Sequence, residues 1–190
     1  MSELVFFLEE PSVQAMLEGL LPQLLRREVD VRYIVFQGKQ DLDKQLVRKL
    51  RGYRKPGTRF VILRDQDSAD CRKLKADLQK KCGDAGKQHT LIRIICHELE
   101  SWFLADFPAV SIAFEKPQLS DLKQNAKYRS PDDISNAAEE LEKITNGHYQ
   151  KISGSRAIGP LLDPDNTRSP SFAAFIQGLR RLLSNPESAT

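Results

Sequence analysis

Residues 59–64, RFVILR, carry an apolar centre with no polar interruption. A run of that kind suits a strand buried on both faces of a parallel sheet. It is one of four. Residues 4–8 (LVFFL), 29–36 and 91–96 (LIRIIC) have strand length and are rich in Val, Ile, Leu and aromatic residues. Helical patterns separate them. After Pro11 and Ser12, the residues Val13, Met16, Leu17, Leu20, Leu21 and Leu24 form one stripe. Leu42, Leu46, Leu50 and Tyr53 form a second, ended by Lys55-Pro56-Gly57. Cys71, Leu74, Leu78 and Cys82 mark the inner face of a third, broken at Gly83 and Gly86. Strand and helix alternating with short connections predicts an α/β fold: a parallel sheet of about four strands flanked by helices.

The pattern changes after residue 96. Residues 97–107 (HELESWFLADF) read as helical, at least from Leu99. Residues 108–135 are polar and turn-rich, with Pro108, Pro117 and Pro131. A helix is expected over 133–145, then loops around a short helix over 146–169. The last helix opens at Ser169-Pro170 and buries Phe172, Phe175, Ile176, Leu179 and Leu183, before a frayed tail. The expected organisation is an α/β core over 1–107 and a mainly helical extension over 108–190, packed together as one structural domain.

Composition narrows the function classes. No stretch of 18 apolar residues occurs, so no transmembrane helix and no membrane partner are expected. The first residues, MSELVFFLEE, read as a strand and not as a signal peptide. Cys71, Cys82 and Cys96 have no CxxC spacing, and His89, His97 and His148 supply no zinc-type pairing. A reducing, cytoplasmic setting without structural zinc follows. Net charge is only +3, but between residues 39 and 59 there are eight Lys/Arg against two Asp. Between 72 and 87 the basic excess is six to two. Such stretches either neutralise phosphates or form solvated helix faces.

Acidic residues gather where ligands bind in such sheets, beyond the carboxyl ends of the strands. Glu9 and Glu10 follow the first strand, Asp65 and Asp67 the third, Glu98 and Glu100 the fourth. Carboxylates packed closely repel, and a cation relieves them; oxygen ligands without His or Cys favour Mg²⁺ or Mn²⁺. In extended chain the Asp65 and Asp67 side chains share a face. Asp67 or Ser68 could instead cap the third helix, which explains one acid and not two. Of Glu9 and Glu10, adjacent in extended chain, one faces the site, and Glu9 is preferred. Glu98 and Glu100 share a face only if the chain there is extended, and which of them reaches a metal stays open.

A strand ending in Glu and a later strand ending in DxD resembles the Toprim fold of topoisomerases, primases, recombination-mediator proteins and OLD-family nucleases. FFLEEPSVQAML matches the strand-Glu-helix element through Glu9, with Glu10 in place of the usual Gly. FVILRDQDS matches the DxD strand through Asp65 and Asp67. HELESWFLAD, YQKISGSRAIGPLLDP and NTRSPSFAAF resemble a bacterial family catalogued as domain of unknown function 4276, over nearly the whole chain. The resemblance implies Mg²⁺-dependent phosphodiester chemistry, with Glu9 as general acid/base and Asp65 and Asp67 as metal ligands. Some OLD-like nucleases also use a Lys beyond the core, and Lys151 is the candidate for that catalytic role. Some family members lie beside an AAA or ABC-type ATPase, as in anti-phage defence. A nucleic-acid substrate and an ATPase partner are therefore expected.

Two classes of function compete. One is a metal-dependent nuclease of this kind. The other is a non-catalytic Toprim-like partner or regulator of an ATPase. A haloacid-dehalogenase phosphatase would need its DxD after the first strand, and a glycosyltransferase finds no further support. A response-regulator domain would place its acceptor at Asp65 but lacks a lysine loop after a fifth strand. Trp102, which could stack on a base, reads as core.

Overall fold

The four strands and the helices between them form as the alternation predicts in the computed structural model, which describes residues 2–184. They are β1 (Ser2–Leu8), α1 (Pro11–Leu20), β2 (Val29–Val35), α2 (Lys39–Gly52), β3 (Arg59–Asp65), α3 (Cys71–Asp84) and β4 (Leu91–Ile95). All neighbouring strands pair in parallel, in the order β2-β1-β3-β4. β1 and β3 are the central pair, in register through Leu8 and Leu63, and β3 is buried along nearly its whole length.

The pleat sorts the side chains of β1 and β3 to two faces. Val5, Phe7, Phe60 and Ile62 pack with Leu42, Leu46 and Leu50 of α2 and with Leu78 and Cys82 of α3. Leu4, Phe6, Leu8, Val61 and Leu63 face the other way, into the larger cluster. That cluster takes in α1 and the later helices, including Trp102, Phe107, Phe175 and Leu179. The apolar core is therefore continuous from the strands into the C-terminal half. Trp102 belongs to it: the side chain is buried, stacks on Phe175, and its Nε1 donates to Ser171 Oγ at 2.8 Å.

Four local expectations change. Cys71 is not on the inner face of α3; it is exposed at the first helical position, one turn before the stripe of Leu74, Leu78 and Cys82. The helix expected over 97–107 splits into α4 (Glu100–Leu104) and α5 (Phe107–Ala113). Asp106 divides them, and its carboxylate accepts from Ala109 N as the cap of α5. Pro108, expected in the turn-rich segment 108–135, sits in the first turn of α5, where a missing N–H costs nothing. Between α5 and α6 (Ala137–Ile144) the chain makes short 3₁₀ turns, so α6 starts later than residue 133. The last helices are α7 (Lys151–Ile158) and α8 (Pro170–Ser184). The expected fraying of the tail falls on residues 185–190, outside the described residues. Among the described residues no helix is long and apolar enough to cross a membrane.

Helix α7 and the turn after it lie against α1 with almost no gap. A Cβ on Gly159 would stand 2.4 Å from the Met16 carbonyl oxygen, and one on Gly19 would stand 2.4 Å from Pro160 Cδ. These glycines seat the RAIGP segment on α1. Neither Met16 nor its carbonyl can move without shifting α1. Gly159→Ala is expected to cost about 2–3 kcal/mol through forced separation of the two helices. Urea unfolding of the variant tests this, and an unchanged midpoint would show that the helices part freely.

Candidate metal centre

One step beyond the Leu8–Leu63 pair, the central strands bring Glu9 and Arg64 side by side, and Asp65 follows. By the alternation of the strands, Glu9 and Arg64 belong to the α2/α3 side, and Asp65 to the side of α1 and α7. The acidic edge thus has two halves.

On the first half Glu9 is only 6% exposed. Its Oε2 is buried with no hydrogen-bond partner and stands 3.6 Å from Arg64 Nε. Burial pushes its carboxyl up to about 7; Arg64 opposes the shift, and Asp67 and Glu10 add to it. Arg64 is committed elsewhere: Nη1 donates to Asp43 Oδ1 at 2.9 Å, and Lys81 pairs with the same carboxylate. Asp43 is held below the usual carboxylate range by these two cations, which outweigh its partial burial.

On the second half Asp65 is 9% exposed, with Oδ1 buried and unpartnered. Its carboxyl is raised well above the ordinary value, first by burial, then by Glu10, Glu100, Glu9 and Asp67. Glu100 is 1% exposed and accepts from the Tyr149 hydroxyl at 2.7 Å. Its pKa is raised by burial, which the Tyr149 bond offsets only in part. Lys151, at the start of α7, reaches Glu10 Oε2 at 3.4 Å. Burial lowers the Lys151 pKa, but Glu100 and Glu10 outweigh it, so the amine stays protonated.

The remaining acids are placed differently from an extended-chain picture. Asp67 does not continue β3. It takes the left-handed conformation, φ +50°, in the turn after the strand. Its carboxylate accepts from Lys39 Nζ at 2.9 Å, and its side chain is 42% exposed. The shared face argued for Asp65 and Asp67 is therefore lost to the turn. Neither Asp67 nor Ser68 caps α3: Asp70 does, accepting from Arg72 N and Lys73 N at 2.8 and 3.0 Å. Glu98 and Glu100 part company. Glu98 turns to α6, where it accepts from Ala138 N at 2.9 Å, while Glu100 stays among the charges around Asp65. Glu10, where the resemblance leads one to expect Gly, has φ −132° and ψ 152°, an extended backbone that suits any residue.

Sequence reasoning passed over Arg64, Asp43 and Tyr149. Arg64 carried a signal, a charge at the end of an otherwise apolar buried strand. Tyr149, 49 residues from Glu100, carried none.

Two buried carboxylates with unpartnered oxygens suit a hard cation. Among the described residues no three His, Cys, Asp or Glu side chains converge tightly enough to enclose a metal ion.

A family model described as Domain of unknown function (DUF4276) matches residues 8–180. Among solved structures, the C-terminal region of the Burkholderia pseudomallei OLD protein is similar with a TM-score of 0.52 and 14% sequence identity, covering 94% of this chain and 97% of that one. Likeness at that identity establishes the fold alone, a Toprim-like α/β sheet with a helical C-terminal segment. No protein of curated function matches the chain.

Proposed function

The chain belongs to the DUF4276 family, and from that membership and its buried carboxylates we propose that it is a Mg²⁺- or Mn²⁺-dependent hydrolase of nucleic-acid phosphodiesters. The observation that carries this reading is the pair of orphaned oxygens, Glu9 Oε2 and Asp65 Oδ1, at the carboxyl ends of adjacent strands. Glu9 Oε2 has only the 3.6 Å contact with Arg64, whereas Asp65 Oδ1 has no partner; a buried ionised carboxylate of that kind is costly, and a cation is its natural relief. The similarity to the C-terminal region of an OLD protein supports the same reading at the level of fold.

Asp65 would hold the metal, with Glu10 or Glu100 reaching it directly or through water. When bound, the ion supplies Lewis-acid polarisation of the phosphoryl group and a water of lowered pKa. The protein residues do the rest. Glu9, pushed up to about 7, is poised to accept a proton from water and return it to the leaving oxygen. Lys151 offers a protonated amine beside Glu10 and Glu100 that can neutralise developing charge on phosphate. Tyr149 fixes the Glu100 carboxylate. Lys39 steadies the Asp67 turn. In this reading an ATPase partner and a role in defence against phage follow from the family's company.

The test is incubation of the protein with plasmid DNA and with RNA, in Mg²⁺, in Mn²⁺ and in chelator. Metal-dependent nicking that disappears in Glu9→Gln is expected. An inactive wild type, alone and with a co-purified ATPase, would sink the reading and leave the non-catalytic partner. The pairing of Asp67 with Lys39 is the observation that favours that second reading, because it commits one of the two DxD acids to a salt bridge.

A further inference from the structure

The two basic segments noted in the sequence fold onto one side of the molecule. α2 and α3 pack side by side on the same sheet face, and Lys44, Arg48, Arg72, Lys73, Lys75 and Lys80 are exposed there. At the foot of this face, at the amino ends of β3 and β4, lies a cavity of about 200 Å³. Arg54, Lys55, Arg59, Lys87 and His89 line it, with Thr58, Thr90 and the Pro56-Gly57 turn, and no acidic residue does.

These cations are not explained by the fold. Basic residues in the last turn of a helix complement its dipole, and Lys49, Arg51 and Lys81 do so for α2 and α3. The dipole's effect fades beyond the last turn, and Arg54, Lys55, Arg59 and Lys87 all lie past the helix ends. Only Lys55 has an acidic partner among the described residues, Glu3 at 3.4 Å on the far side of the turn. Lys87 Nζ stands 5.1 Å over the Phe60 ring that floors the cavity, a position that holds the amine without neutralising it.

We propose that this cavity anchors a backbone phosphate of a nucleic-acid strand, at the opposite end of the sheet from the carboxylate centre. The volume accommodates one phosphate group. Arg59 and Asp65, the two ends of β3, are six residues apart, roughly 20 Å at about 3.3 Å per residue. A strand anchored at the cavity would run over the exposed lysines and arginines of α2 and α3 towards Lys39 and the acidic edge, a span of about six nucleotides at 3.4 Å each. The inference rests on the nucleic-acid reading of the acidic site, but it concerns binding and not chemistry.

Binding is therefore measured in chelator, where no cleavage occurs, as the fluorescence anisotropy of a labelled DNA duplex and of its single strand across a salt series. Arg54→Gln and Lys87→Gln are the variants, Arg54→Glu is a charge reversal, and Lys143→Gln on α6 is the control. Each neutralised cation is expected to lower the salt slope by about 1 and to weaken binding about tenfold near 0.1 M salt. The control should bind as the wild type does, and thermal melts check that the variants fold. Unchanged slopes in all three cavity variants overturn the anchor, and so does a wild type that binds no nucleic acid. Binding of inorganic phosphate that the variants lose, with nucleic-acid affinity intact, also overturns it and assigns the cavity to a free anion. If the slopes fall as expected but the wild type cleaves nothing in Mn²⁺, the anchor stands and the hydrolase reading fails.

Discussion

Replacing Asp65 by Asn is expected to abolish metal-dependent cleavage while stabilising the metal-free protein. In the proposed role Asp65 would hold the metal, and its loss would remove both phosphoryl polarisation and the activated water, so activity should fall by more than about a hundredfold. Stability should move the other way. Asp65 is buried, one of its oxygens has no partner, and Glu10, Glu100, Glu9 and Asp67 all oppose its ionisation. At pH 8, without metal, the native state carries this cost and the unfolded chain does not. An isosteric amide removes the charge. A gain of about 1–3 kcal/mol is expected, or about 3–10 °C in Tm for a chain of this size. Mg²⁺ or Mn²⁺ should stabilise the wild type by about 2.7 kcal/mol at a hundredfold excess over Kd, raising its Tm, and leave the variant unmoved. Thermal melts with and without metal read this independently of cleavage. A variant that melts below the wild type in chelator would mean that the Asp65 carboxylate is structural.

Glu9 predicts a second large effect, on the pH dependence of folding. Its carboxyl is raised from 4.5 to about 7 in the native protein by burial. The native state therefore binds the proton more tightly than the unfolded chain. The stability this contributes is fully present below pH 4.5 and is lost as pH rises through about 7. The span corresponds to about 3 kcal/mol, or about 10 °C in Tm. Carboxylates held low, such as Asp43 and Asp70, act in the opposite sense and lose their contribution as pH falls. The difference between wild type and Glu9→Gln isolates the Glu9 part. In chelator the variant should match the wild type near pH 4.5 and exceed it increasingly up to pH 8. Parallel curves would show that Glu9 stays ionised throughout, and so could not act as a proton acceptor tuned to neutral pH.

The acidic edge was legible because it depends on local facts. The apolar runs fix where the strands end, and parallel pairing brings those ends together, so Glu9 and Asp65 had to meet at one edge. Asp67 was harder to read because the strand rule of alternate faces ends with the strand. A turn at φ +50° sent its side chain to Lys39, 28 residues away. Glu98 and Glu100 depended on where α4 begins. The backbone turns at His97, φ +55°, and α4 starts at Glu100, so the two side chains diverge. The alternative that Asp67 or Ser68 caps α3 does not hold because Asp70 stands directly before the first turn. Pro108 misled because a proline in the first turn of a helix looks the same in sequence as a proline that ends one.

Returning to RFVILR, its composition alone determined a strand buried on both faces, and with the three other runs it determined a parallel sheet with helices between. Those conclusions rest on periodicity and burial, which are properties of consecutive residues. The sequence could also place carboxylates at strand ends and basic residues in two stretches. Only the tertiary structure decided that Glu9 and Asp65 lie on opposite faces of the edge, that Arg64 is drawn to Asp43, and that Tyr149 closes on Glu100. Only it put the two basic stretches on one side, above a cavity without an acid. Each of these depends on which distant segments pack together, and the direction of a side chain beyond the last strand residue is set by those neighbours.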